Sequence, residues 1–200
     1  MSLRDRNMDW LRKHVWVPAA SFGKVISTDQ IGISTGTPAL LEIGATGYDG
    51  FKVDAAGEIA SFVMLLPFDM DPGFSLKFRV HGTAEDAHTA SDTVTFKGTY
   101  NNAKRAAAVV EAATVFDTDF AALTINDTAA ILDISGWGVI NADKWTRAEI
   151  EAGHLIAVGI ELDATTLTIA TENYCIIGVE YSYVVQLTRG DGSVRDVDAA

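Results

Sequence analysis

The clearest pattern in the chain is alternation. Phe74, Leu76, Phe78 and Val80 are separated by Ser75, Lys77, Arg79 and His81. Side chains point to opposite faces along a strand, so this spacing puts one face in a core and the other in solvent. Val94 and Phe96 repeat it against Thr93, Thr95 and Lys97. Later, Ile156, Val158, Ile160 and Leu162 alternate with Leu155, Ala157, Gly159 and Glu161. Cys175, Ile177, Val179, Tyr181 and Tyr183 alternate with Ile176, Gly178, Glu180 and Ser182. One-sided strands on both sides of the chain midpoint predict two packed sheets. Residues 39–43 and 50–53 flank the turn-prone Gly44-Ala45-Thr46-Gly47, and residues 59–66 form an apolar strand that stops at Pro67.

Helical signals are few. Residues 101–113 hold Ala106, Ala107 and Ala108 and read as a short helix, an insertion or, through Val109 and Val110, a strand. Thr146 and Glu149 have capping-box spacing and predict one helical turn before Gly153. Residues 1–37 read as an arm and loop lead-in, its first part extended or a short helix, followed by Gly, Ser and Thr. Residues 38–188 form the β-sandwich and residues 189–200 a polar tail, with no internal repeat or linker. The fold class is all-β, an antiparallel sandwich.

Length and composition agree with a single cored domain: 200 residues, 48% hydrophobic and 21% charged. The net charge of -12 argues against nucleic acid as a partner, because phosphate contacts need clustered Lys and Arg. The cations that do cluster are near the start: Arg4, Arg6, Arg12 and Lys13, among Trp10 and Trp16. No stretch reaches the roughly 18 apolar residues of a membrane span, and no secretory leader is read at the N-terminus. Cys175 is the single cysteine, so no disulfide within the chain is expected.

Candidate chemistry is sparse. His14, His81, His88 and His154 have no ligand-like spacing, and no metal or cofactor site is read from them. Cys175 sits on the apolar face of its strand, where a buried thiol is packing. Three carboxylate pairs stand two residues apart: Asp69 and Asp71, Asp117 and Asp119, Glu149 and Glu151. Glycosidases use paired carboxylates, but Asp beside turns ordinarily binds local backbone. No catalytic residue is assigned. Arg189-Gly190-Asp191 spells an integrin-type tripeptide, too short to argue from. Trp10, Trp16, Trp137 and Trp145 are candidates for a sugar-stacking platform, of which only Trp137 and Trp145 lie near each other in sequence, against the plainer reading of core or interface packing.

Four segments carry a resemblance. They are Trp16-Val17-Pro18, the turn Leu66-Pro67-Phe68-Asp69 feeding residues 74–80, residues 145–158, and the strand containing Gly178-Val179-Glu180-Tyr181. Across residues 16–185 this arrangement resembles the small jelly-roll virion proteins of tailed bacteriophages that decorate or cement the capsid. The resemblance implies a jelly-roll-like sandwich without enzymatic activity or cofactor, assembled as a homotrimer on the capsid surface of the virion after synthesis in the host cytoplasm. Its partners would be the major capsid protein and other copies of itself, with no nucleic acid and no membrane. The partner-binding residues expected are Arg4, Arg6, Trp10, Arg12, Lys13 and Trp16. Competing readings are a carbohydrate- or receptor-binding module of a phage fibre or secreted protein, a sandwich hydrolase using Asp69/Asp71 or Glu149/Glu151, and a subunit of a non-viral shell or filament.

Overall fold

The computed structural model describes residues 11–22, 40–43, 47–53, 56–85, 92–103, 114–126, 128, 130–165 and 174–186. Among them run twelve strands: β1 (Arg12–Pro18), β2 (Leu40–Glu42), β3 (Asp49–Val53), β4 (Ile59–Leu65), β5 (Leu76–Ala84), β6 (Thr93–Ala103), β7 (Thr114–Val115), β8 (Leu123–Thr124), β9 (Asp133–Ile134), β10 (Gly138–Ile140), β11 (Leu155–Thr165) and β12 (Tyr174–Val184). One short helix, α1 (Arg147–Glu151), precedes β11.

The strands form two antiparallel sheets. The larger has the order β10-β5-β12-β3-β2, with β9 also on β5 and β1 also on β12. The smaller runs β4-β11-β6-β7, with β8 also on β6. Pairing is nested: β6 with β7 and β8, β5 with β9 and β10, β4 with β11, and β3 with β12. A chain paired from its middle outward and rolled into two sheets is a jelly-roll sandwich.

Alternation explains the core. Leu76, Phe78 and Val80 of β5 are fully buried, as are Ile156, Val158 and Ile160 of β11. Aromatic rings fill the core: Phe78 lies 5.2 Å from Phe116 and 6.5 Å from Phe62 of the facing sheet's β4, and 6.1 Å from Tyr181 on its own sheet. Such offset pairs add to the burial of the rings themselves. The hairpin expected around 44–47 is present as β2 and β3, with Gly47 at φ 73°. Thr146 Oγ1 accepts from the Glu149 amide while the Glu149 carboxylate accepts from the Thr146 amide, the capping box that opens α1.

Two expectations change. In β12 the register shifts between Ile176 and Gly178, a bulge opposite β5. A bulge moves every side chain beyond it to the other face. The core therefore takes Tyr174 and Ile176, then Val179, Tyr181 and Tyr183. Cys175 is not on the core face with Val179. It is a buried thiol on the opposite face, 1% exposed, packed where Gly50 and Ile43 approach. The second change concerns the arm. Residues 12–18, read as an extended or short-helical lead-in, pair residue by residue with β12 as a strand of the sheet. Val15 and Val17 pack on the core and His14 and Trp16 face outward. The sequence Arg-Lys-His-Val-Trp-Val-Pro carries that alternation. The Ala106–Ala108 stretch, His88 and Arg189-Gly190-Asp191 lie outside the described residues.

Candidate functional site

The outer face of the larger sheet carries a linked group of polar and aromatic side chains. Register places them. Trp16 on β1 is level with Glu180 on β12, and Glu180 with Arg79 on β5. Gly138 pairs with Phe78, so Trp137, one residue earlier, stands level with Arg79. Trp16, Glu180, Arg79 and Trp137 thus form one row across four neighbouring strand positions. Strands lie about 4.8 Å apart, so the two tryptophan backbones are roughly 14 Å apart. The next row in one direction is His14, Ser182, Lys77 and Val139, and in the other Pro18, Gly178 and His81.

Glu180 organises the row. Arg79 Nε donates to its Oε2 at 2.7 Å, His81 Nε2 lies 3.0 Å from the same oxygen, and His14 Nδ1 lies 2.5 Å from Oε1. Burial of the carboxylate pushes its pKa up. The hydrogen bonds from Arg79, His14 and His81 outweigh burial and bring it down to about 2. An ionised carboxylate only accepts, so His14 carries a proton on Nδ1 and His81 one on Nε2. Burial holds His81 below the usual histidine range, against the pull of Glu180.

The aromatic groups frame this centre. The Arg79 guanidinium lies 4.6 Å from the Trp137 ring centroid, a cation–π contact. Trp137 also approaches His14 at 6.0 Å. Trp16 meets His81 edge-on at 5.0 Å and lies over Gly178, where any Cβ would enter its ring. Trp16 remains 45% exposed. Two local features hold Trp137: the Ser135 hydroxyl accepts from the Val80 amide at 2.8 Å, and Gly138 passes too close to Phe120 and Phe116 for a side chain.

Of the residues expected to bind a partner, Arg12, Lys13 and Trp16 lie on β1, whereas Arg4, Arg6 and Trp10 fall outside the described residues. Arg12 Nη1 donates to the Ser75 and Ser182 carbonyls, and Lys13 pairs with Asp69. Trp145 is not part of a platform with Trp137. It is 4% exposed and packs on Tyr100 at 6.0 Å in the core.

The carboxylate pairs are occupied structurally. Asp69 binds Lys13 and the Tyr183 hydroxyl; although burial opposes it, these bonds lower its pKa, the reverse of a general acid's need. Asp71 caps the Gly73 amide, Asp117 holds the Asn141 amide and Lys144, and Asp119 accepts from the Gly98 amide. Glu149 serves the capping box and Glu151 pairs with Arg147. Among the described residues, no group of three His, Cys, Asp or Glu side chains converges as metal ligands would.

Sequence reasoning found Trp16 but missed His14, Arg79, His81, Trp137 and Glu180 as a group. His14, Arg79, His81 and Glu180 each fall on the polar phase of an alternating segment, and Trp137 stands just before β10. What brings them together is strand register between segments up to 166 residues apart, such as His14 and Glu180.

The fold and site define a jelly-roll β-sandwich with a built polar-aromatic face. No protein-family model matches the chain, and no curated protein matches its sequence. Among solved structures, it is similar to the CBM36-1 domain of a multidomain xylanase from the hindgut metagenome of Trinervitermes trinervoides. The TM-score is 0.42 and the identity 9%, over 84% of this chain and 96% of that domain.

Proposed function

We propose that the chain is a non-catalytic binding module that lays a carbohydrate across the outer face of the larger sheet, between Trp16 and Trp137. The observation that carries this reading is the row itself: two tryptophans level with each other on one sheet face, with fixed hydrogen-bonding groups between them. Sugar rings present apolar C–H faces and polar edges. Aromatic rings take the first, and Arg79, His14 and His81 are placed to take the second. Pre-organised donors add affinity because little freedom is lost on binding.

A glycan array followed by titration tests it. Trp16→Ala and Trp137→Ala are each expected to weaken a bound glycan about tenfold or more, as buried aromatic anchors do, while the protein stays folded. Absence of any glycan ligand, or binding that both substitutions leave unchanged, overturns the proposal.

A second reading draws on a different surface. Val63, Leu65, Phe68 and Leu155 are all exposed beside one another on the smaller sheet and the turn after β4. Exposed apolar groups of this kind suit a protein partner. They support a capsid-decorating homotrimer that meets the major capsid protein through Arg4, Arg6, Trp10, Arg12, Lys13 and Trp16. Sedimentation of the full chain checks it, since a monomer at high micromolar concentration removes the trimer on which this reading depends.

A further inference from the structure

We infer that this face selects an acidic polysaccharide, whose carboxylate or sulfate group docks on the guanidinium of Arg79. The inference rests on the carbohydrate reading above and names the class of sugar. Arg79 is held from two directions: its Nε donates to Glu180, and the Trp137 ring covers its plane. Its terminal nitrogens, Nη1 and Nη2, donate to no acceptor among the described residues, and a third of the side chain is open to solvent. A guanidinium presents its donors as a planar fork that matches the paired oxygens of a carboxylate or sulfate.

Charge on the face points the same way. The three rows around Arg79 contain the cations Lys77 and Arg79 and the single carboxylate Glu180. Glu180 is already met by three donors, so its charge is locally answered. The chain as a whole carries a net charge of -12. A polyanion is therefore repelled by most of the surface and received at this exception. Neutral sugars gain nothing from that contrast, whereas an acidic sugar gains both the fork and the local field.

The test uses matched polymers with the full chain. Polygalacturonate is compared with the same polymer fully methyl-esterified, and dextran sulfate with dextran, at low and physiological salt. Tighter binding of an acidic polymer than of its neutral partner, by about tenfold or more, supports the inference, and the pair that shows the preference tells carboxylate from sulfate. Arg79→Lys keeps the charge and removes the fork, and is expected to reduce that preference to the part the charge alone supplies, without changing the melting temperature by more than a few degrees. If that variant does not fold, the polymer pairs on the unaltered protein decide alone. Equal binding of acidic and neutral polymers overturns the acidic-ligand inference and leaves the carbohydrate reading standing. Binding of neither kind also overturns the acidic-ligand inference, and the glycan array then decides the carbohydrate reading.

Discussion

On the outer face of the larger sheet, Trp16, Glu180, Arg79 and Trp137 stand in one row and are tied to each other. On the smaller sheet, Leu65, Leu155 and Ala103 form a row, followed by Val63, Ala157 and Asn101, and the side chains of Val63, Leu65 and Leu155 lie open. Both sheets obey the same alternation toward the core. Their inner faces are fixed by packing, which leaves the outer faces free to differ. Burying Glu180 costs desolvation that only paired donors recover. The edges differ likewise. β1 carries Arg12, Lys13 and a closing Pro18, features that discourage strand addition, whereas β4 reads Ile-Ala-Ser-Phe-Val-Met-Leu with no charge. A face that bears such a network is the better place to look for recognition.

The strongest way to break this contrast is at Gly178. A Cβ there meets the Trp16 ring and lies 2.6 Å from the Val17 carbonyl oxygen, which belongs to backbone and has little room to move. Gly178→Val is expected to push β1 away from β12 and cost about 2–3 kcal/mol by overpacking. Denaturant melts measure the loss, and glycan binding should fall with it because Trp16 leaves its place. A variant as stable as the parent would show that β1 is held less closely than the register implies.

The position of Gly178 also shows what the sequence makes legible. The sandwich class, the β2–β3 hairpin, the α1 capping box and the core phases of β5, β6 and β11 all follow from local spacing. The phase of β12 does not, because the bulge between Ile176 and Gly178 depends on how β5 lies beside it. The site depends on the same non-local fact. Arg79 and His81 read locally as the solvent side of β5, and Glu180 as the solvent side of β12. Only their register turns three solvent-side residues into one hydrogen-bonded group. Trp145 shows the converse: proximity to Trp137 in sequence says nothing about burial, and the core took it.

Glu180 itself gives the next test. Its pKa is held at about 2, against 4.5 for an unperturbed glutamate. The folded state therefore binds fewer protons than the unfolded state between those values, and stability is lost as pH falls from about 4.5 toward 2. His81, also lowered, acts in the same sense as pH falls below 6.5. At about 1.4 kcal/mol per unit the Glu180 shift caps its contribution near 3 kcal/mol. The half-exposed His14 beside it brings the expected figure to about 2 kcal/mol. Glu180→Gln should lose about that much at pH 7 and show a flatter acid limb in melts from pH 6 to 2.5. An unchanged acid limb would mean that other carboxylates set the acid sensitivity.

The smallest expected effect comes from the bare face and completes the contrast. Val63 is 65% exposed and Leu65 51%. Neither is part of the buried core, and their removal leaves no cavity and no unpaired polar group. Val63→Thr and Leu65→Thr, singly or together, should therefore change stability by no more than about 0.5 kcal/mol. β-Branched threonine also suits an outward strand position. A loss above about 1.5 kcal/mol would show that these side chains are covered in the folded protein, and the contrast between the faces would fail. The same double variant separates the two functional readings. Self-association through this stripe would make sedimentation of the parent depend on concentration, and the double variant would remove that dependence while leaving glycan binding on the opposite sheet untouched. If instead the double variant weakened glycan binding and not association, the roles assigned to the two faces would have to be exchanged.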